Sequence, residues 1–138
     1  MSNISVYLFF NGNCEEAMNF YRDTLGGTID FIQRYGDSPM PGSEANRNKI
    51  MHGSMTIMGG MIMFSDSDEK RQAQFGDNFS LSINCKSDGD VDRLLDAMAT
   101  GGTITMPADD TFWGARFGMC TDKFGVNWMF NYDKKDQG

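Results

Sequence analysis

One histidine, His52, stands in the 138-residue chain. Its imidazole is the only side chain type whose ordinary titration falls between pH 5 and 8, so His52 is the candidate general base of any proton transfer. A hydrogen-bonded structural histidine is the alternative. Arg116, flanked by Gly114 and Gly118, is the candidate anion clamp, because a guanidinium fork grips a carboxylate or phosphate through two parallel bonds. The alternative there is an ion pair with Asp110 or Asp122. The serines lack a second histidine and a clear orienting acid, which argues against a Ser-His-Asp triad. Cys14, Cys85 and Cys120 are odd in number and far apart. They match neither a disulfide framework nor a C-x-x-C metal site, and read as small buried hydrophobes. Asp66, Asp68 and Glu69 read as a solvated acidic loop, since the twelve-residue calcium-loop spacing is missing.

The elements that must position these groups show an internal repeat. Gly26-Gly27-Thr28-Ile29 recurs as Gly101-Gly102-Thr103-Ile104. Before the first copy, Cys14, Ala17, Met18, Tyr21 and Leu25 fall at helical spacing. Asn13 is placed to cap that helix, with Glu16 completing a capping box, and Gly26 to stop it. Before the second, Val91, Leu94, Leu95 and Met98 form one stripe, with Ser87 as the cap and Gly101 as the stop. A strand precedes each helix, Val6–Phe10 and Phe79–Ile83. After each helix come three more strands. In the first half these are 28–34, about 49–58 and 61–65, with a loop at Pro39 and Pro41. In the second they are 103–106, 112–121 and 126–132, with a loop at Pro107. The order is β-α-β-β-β twice. It predicts an α+β fold in one domain over 1–138, with a first module at about 1–66, a linker at about 67–77 and a second module at about 78–134. Each helix covers one sheet face, and the other face needs a partner.

This organisation resembles the glyoxalase/bleomycin-resistance (vicinal oxygen chelate) superfamily, and within it the PhnB-like branch. The resemblance rests on Tyr7-Leu8-Phe9-Phe10-Asn11-Gly12 leading to Ala17-x-x-Phe20-Tyr21, on Lys49-Ile50-Met51-His52, and on Thr111-Phe112-Trp113-Gly114-Ala115-Arg116-Phe117-Gly118 leading to Thr121-Asp122-x-Phe124-Gly125-Val126-x-Trp128. It implies paired βαβββ modules forming a cupped mixed sheet with helices outside, usually in a homodimer. Many members hold a divalent metal in the cup. Matching through the helices puts those ligand positions near Val6, His52, Asn78 and Met129, of which only His52 is an ordinary transition-metal ligand. A transition-metal site needs about three His, Cys or carboxylate ligands, so the expectation is no metal and no other cofactor.

Strand side chains alternate between faces. His52, Ser54 and Thr56 share a face against Met51, Met55 and Ile57, Ser80 and Ser82 oppose Phe79, Leu81 and Ile83, and Asn127 opposes Trp128 and Phe130. The apolar sets belong under the helices. The lining of the cup is then Val6, Leu8, Phe10, His52, Ser54, Ser80, Ser82, Arg116, Asn127 and Met129, with Trp113 near the rim.

The bulk properties restrict the partner. The net charge is −7, with 19 acidic against 12 basic residues and no basic cluster. Nucleic acid and anionic membranes attract clustered Lys and Arg, so neither is expected, and no apolar run nears the roughly 20 residues of a membrane span. Met1-Ser2-Asn3-Ile4 shows no basic-then-apolar leader, which sets the expectation of a cytoplasmic protein. Two functions remain: an enzyme acting on a small polar or anionic molecule without a conventional transition-metal site, and a protein that sequesters such a molecule. Metal-dependent lyase, isomerase or dioxygenase chemistry needs ligands this chain lacks. No G-x-G-x-x-G loop follows a strand to hold S-adenosylmethionine.

Overall fold

The computed structural model describes residues 2–39 and 44–134; Pro41 of the expected loop lies outside them. The chain divides into two compact units, 1–74 and 75–138. The first contains β1 (Val6–Phe10), α1 (Cys14–Leu25), β2 (Thr28–Arg34), β3 (Ile50–Ile57) and β4 (Gly60–Asp66). The second contains β5 (Leu81–Asn84), α2 (Asp88–Met98), β6 (Thr103–Asp110), β7 (Ala115–Thr121) and β8 (Asn127–Asp133). Both units follow the expected β-α-β-β-β order.

Each unit is one four-stranded mixed sheet, in the orders β1-β4-β3-β2 and β5-β8-β7-β6. The strand before each helix pairs parallel to the last strand of its unit, Leu8 with Phe64 and Ile83 with Phe130. All other pairings are antiparallel. Both helices pack their apolar stripe onto their own sheet. Cys14, Ala17, Met18 and Tyr21 are fully buried on α1, and Val91 and Met98 on α2.

The repeated Gly-Gly pair has one physical reason at each position. Gly26 and Gly101 both adopt φ of +77°, where a side chain is strained. The following glycine has no room for a Cβ. At Gly27 it would lie 2.8 Å from Ile57 Cγ1 and 3.1 Å from the Thr56 carbonyl, and at Gly102 it would overlap the Thr121 carbonyl. Gly26 ends α1, whereas α2 ends at Met98 with Ala99 as its cap and Gly101 falls in the turn beyond, not at the expected stop; both pairs let the next strand start hard against its neighbour.

The caps differ between the units. Ser87 accepts from the Asp90 amide at 3.1 Å, as the spacing predicts. Asn13 makes no side-chain cap. Asp66, expected in a solvated loop, instead ends β4 with 2% exposure. Its Oδ1 accepts from Gly12 N (2.8 Å) and Cys14 N (3.0 Å), and its Oδ2 from Ile50 N (2.9 Å). A buried carboxylate from a distant strand thus replaces the local capping box, because it serves the helix start and β3 together. Asp122, 3% exposed, plays a matching part in the second unit. It accepts from Phe124 N (2.8 Å), Val126 N (3.1 Å) and Trp128 Nε1 (2.9 Å).

Three element boundaries move. Strand β6 continues through Pro107 to Asp110, where a loop was expected. A register shift between Met106 and Asp109 accommodates the proline, as edge strands and bulges allow. Residues 112–114 form the turn before β7 instead of its start. Strand β5 starts at Leu81, which leaves Phe79 half-exposed and Ser80 ahead of the strand.

Candidate functional site

His52 sits on the face of the first sheet that α1 does not cover. The opposite face is fixed by Gly53, whose Cβ would lie 2.8 Å from Met18 Cε of α1, and by Met55 and Ile57 in the core. Ile50 also lies in that core, because β3 carries one extra residue between the pairs Gln33–His52 and Arg34–Ile50. This bulge shifts the alternation once, and from His52 onward it runs cleanly through Ser54 and Thr56. Thr56 Oγ1 is bonded to Asp30 at 2.7 Å. Among the described residues no hydrogen-bond partner reaches the Ser54 hydroxyl.

The first strand corrects the expectation for Leu8 and Phe10. Both are buried, at 4% and 0%, and the Phe10 ring stacks on Phe64 at 6.2 Å, which itself meets Tyr21 of α1 at 6.1 Å. They belong to the helix side. Val6 has their parity and lies at the strand's start, 36% exposed. An unbroken run, Val-Tyr-Leu-Phe-Phe, has no polar member to mark a face, so parity was not readable there. Tyr7 and Phe9 take the open face. Tyr7 is the one residue of the five with a polar tip, and a polar tip needs a partner.

That partner is His52. The Tyr7 hydroxyl lies 2.9 Å from His52 Nδ1. The two residues sit on β1 and β3 with β4 between them, a span of about 10 Å at ordinary strand spacing. The phenol crosses β4 diagonally, past its register partner Met63 and towards the small Ser65, whose own hydroxyl is directed to the Met51 and Asp66 carbonyls at 2.8 and 3.0 Å. Burial raises the Tyr7 phenol above its usual range, so it stays protonated and able to donate. Phe31 flanks the imidazole at 5.9 Å and stands opposite Ser54 on β2, and Phe9 stacks on Tyr7 at 4.9 Å. Phe31 and Phe9 are about half-exposed. The result is a small polar centre, His52 and Ser54, edged by aromatic rings.

In the second sheet the expected residues separate. Ser82 and Met129 are cross-strand partners on the open face, with Met119 next to Met129. Asn127 shares that face, but its amide is occupied. It accepts from Thr121 Oγ1 (2.7 Å) and donates to the Gly76 (2.7 Å) and Phe79 (3.3 Å) carbonyls, tying down the segment before β5. Trp113 lies in the turn before β7, and its ring meets Phe117 at 6.3 Å.

Arg116 is a correction. It shares the helix-covered face with Gly118 and Cys120. Its Nε donates to Asp92 of α2 at 2.8 Å and its Nη1 to Asp110 at 3.2 Å. The neighbouring Gly118 does not leave room for a ligand. A Cβ there would lie 2.8 Å from Leu95 of α2 and 3.2 Å from Ala108. The glycine that suggested ligand access serves helix packing, and Arg116 is an ion-pair residue.

A hollow of about 340 Å³ opens beside the start of α1, lined by Gly12, Glu15, Asn19, Asn48, Lys49 and Asp66 among others. Three of its charged groups, Glu15, Lys49 and Asp66, are already matched, while Glu16 also lines it. Glu15 pairs with Arg34 through two bonds of 2.8 and 3.0 Å, which hold its carboxyl below the usual range, and Lys49 Nζ donates to the Gly12 carbonyl at 2.7 Å. His52 does not line it. The residues present do not fit a transition-metal centre either. Among the described residues no three His, Cys, Asp or Glu side chains gather, Val6 and Met129 offer no ordinary donor, and Nδ1 of His52 is engaged by Tyr7. Among the described residues, no helix is long and apolar enough to cross a membrane.

Comparison with known proteins places this geometry. The model of the 3-demethylubiquinone-9 3-methyltransferase family matches residues 2–130. Protein YjdN of Escherichia coli K12 is 33% identical over 142 residues, covering 96% of each chain. The crystal structure of protein PA1353 from Pseudomonas aeruginosa superposes with a TM-score of 0.87 at 41% identity, covering 96% of this chain and 98% of that one. A PhnB protein from Bacillus cereus gives 0.81 at 31% identity, covering 95% and 99%. More distant likeness, in fold alone, extends to a glyoxalase/bleomycin resistance protein/dioxygenase family enzyme from Burkholderia phytofirmans, at a TM-score of 0.68 and 15% identity over 94% and 96% of the chains. The chain therefore belongs to the 3-demethylubiquinone-9 3-methyltransferase family, is similar to a PhnB protein, and shares the fold of a glyoxalase/bleomycin resistance protein/dioxygenase family enzyme.

Proposed function

We propose that the protein binds a small polar or anionic molecule on the open face of its first sheet, at His52 and Ser54, without a conventional transition-metal site. One observation carries this reading: two polar side chains with free hydrogen-bonding capacity stand on a helix-free sheet face, edged by half-exposed Phe9 and Phe31. Polar groups set among aromatic surface are how small-molecule sites fix orientation while burying apolar area. In the second unit, taken by itself, Ser82 and Met129 on the open sheet face, with Trp113 at its turn, are proposed as a separate contact surface.

A thermal-shift panel of small carboxylates, phosphates and aromatic acids tests the proposal. A ligand at about 100 times its Kd stabilises the folded state by roughly 2.7 kcal/mol. That is several degrees for a chain of this size, and the shift should vanish in His52→Ala. A panel that never moves the wild-type melt, or moves His52→Ala equally, removes the site. S-adenosylmethionine belongs in the panel because of the family's description.

The sequestering reading has its own support: among the described residues no carboxylate orients His52, and Tyr7 occupies one of its nitrogens. Recovery of the bound molecule unchanged after long incubation favours sequestration, and a product favours catalysis. The reading also includes a homodimer in the cytoplasm. Half-exposed Phe9, Phe31 and Met61 on one sheet face support the dimer, which sedimentation velocity checks against a 15.4 kDa monomer. Three free thiols suit a reducing compartment, and fractionation of the native host checks that.

A further inference from the structure

The contact between Tyr7 and His52 decides what the imidazole can offer a ligand. A neutral imidazole has one N–H and one bare nitrogen, and its two nitrogens cannot both accept. The Tyr7 oxygen stands 2.9 Å from Nδ1. Two arrangements fit that distance: the phenol donates to a bare Nδ1, or Nδ1–H donates to the phenol oxygen. In the second, the half-buried phenol proton needs another acceptor. Ser65 Oγ can be that acceptor, since it donates its own proton to the Met51 and Asp66 carbonyls and keeps its lone pairs open. A phenol is a stronger donor than acceptor. A bare imidazole nitrogen is in turn a stronger acceptor than a serine hydroxyl, so donation by Tyr7 to Nδ1 is the favoured arrangement.

We infer that Tyr7 is a positioning residue that locks neutral His52 in the Nε2–H tautomer, so that the site presents a hydrogen-bond donor and selects ligands carrying an oxygen acceptor such as a carbonyl, carboxylate or phosphate. Among the described residues nothing else reaches Nε2. The inference rests on the binding reading above and sharpens it. His52 then acts first by donating to and polarising a ligand oxygen, not by removing a proton. For Nε2 to serve as a base, the pair must first exchange tautomer, with Nδ1–H turned onto the Tyr7 oxygen and the phenol proton turned away. The same lock opposes metal ligation through Nε2, since a neutral imidazole that coordinates a metal through one nitrogen carries its proton on the other.

A single histidine makes the test direct, because every imidazole signal belongs to His52. In uniformly ¹⁵N-labelled, ligand-free protein at a pH where His52 is neutral, long-range ¹H–¹⁵N spectra should show a protonated-type Nε2 and a bare-type Nδ1. In Tyr7→Phe, the excess of the Nε2–H form should fall by about fivefold, the equivalent of one ordinary hydrogen bond. Ser54→Ala, which leaves the pair intact, should not change it. A dominant Nδ1–H form in the wild type overturns the lock. So does an unchanged ratio in a Tyr7→Phe protein that retains its circular dichroism and cooperative melt. A second arm uses acetate, inorganic phosphate and tetramethylammonium as probes. Movement of the Nε2–H signal by the two anions, but not by the cation, supports the ligand class. Movement by the cation alone overturns that class. If no probe moves the signal, the binding reading fails for these anions, while the ligand-free spectra still decide the lock.

Discussion

Replacing Asp66 gives the sharpest test of how the site is held. Its carboxylate accepts three backbone N–H groups: two at the β1–α1 junction through one oxygen, and Ile50 at the start of β3 through the other. β1 carries Tyr7 and β3 carries His52. In Asp66→Asn, the amide oxygen can keep Gly12 and Cys14, but the NH₂ then faces the Ile50 N–H, donor against donor. One buried donor left unmade costs about 1–3 kcal/mol, and the two remaining bonds lose their charge assistance. About 2–3 kcal/mol is the expected total. Asp66→Ala leaves all three donors unmade. Gly12 is only partly buried and can find water, so about 3–5 kcal/mol is expected, a large share of the roughly 5–15 kcal/mol that holds a typical domain. Urea unfolding at 25 °C, reading midpoint and slope together, measures both. Asp68→Asn, exposed two residues away, is the control and should stay within about 0.5 kcal/mol. An Asp66→Asn protein as stable as that control, at unchanged slope, would refute the reasoning.

Further outcomes follow from the same geometry. Gly102→Ala should cost at least about 2–3 kcal/mol by denaturation, since its Cβ meets the Thr121 carbonyl and the Asp122 backbone, neither of which can swing aside. Arg116→Gln should cost no more than about 1 kcal/mol, because both its ion pairs are at the surface, and it should leave any ligand-induced melting shift intact; loss of that shift would restore Arg116 to the site. Burial pushes the Cys85 thiol up to about 11 and Cys120 up to about 12. Thiol reagents at pH 8 should therefore label the native protein slowly and the denatured protein at once. The sign for stability is that of raised pKa values. Their contribution is complete below about pH 9, where unfolded thiols stay neutral, and is lost as pH climbs from about 9 towards 11–12. Cys120→Ala should flatten that alkaline loss, and an unaltered alkaline profile would contradict the assignment.

The double β-α-β-β-β order was legible because helical stripes and the Gly26-Gly27 and Gly101-Gly102 pairs are local signals. His52, Ser54 and Ser82 were legible as open-face residues because their strands alternate polar and apolar. Where alternation failed, so did the face assignments. β1 is apolar throughout and hid the switch from Leu8 and Phe10 to Tyr7 and Phe9. β7 carries Arg116 on its helix side because α2 supplies Asp92, a partner that sequence distance conceals. Asp66 looked solvated because its three donors come from residues far along the chain. Non-local hydrogen bonds leave no periodicity to read.

The parallel pairing of β1 with β4 has a consequence during synthesis. Val6 must wait for Ile62, and Phe10 for Asp66. At ribosomal rates of roughly 5–20 residues per second, that delay is about 3–10 s. Meanwhile the nascent chain exposes Val-Tyr-Leu-Phe-Phe, five uncharged strand-forming residues without a proline, the kind of segment that seeks any open edge. The chain is therefore most vulnerable to misassociation before residue 66 emerges, and a chaperone that binds extended apolar segments would find its target in the strand that later brings Tyr7 to His52.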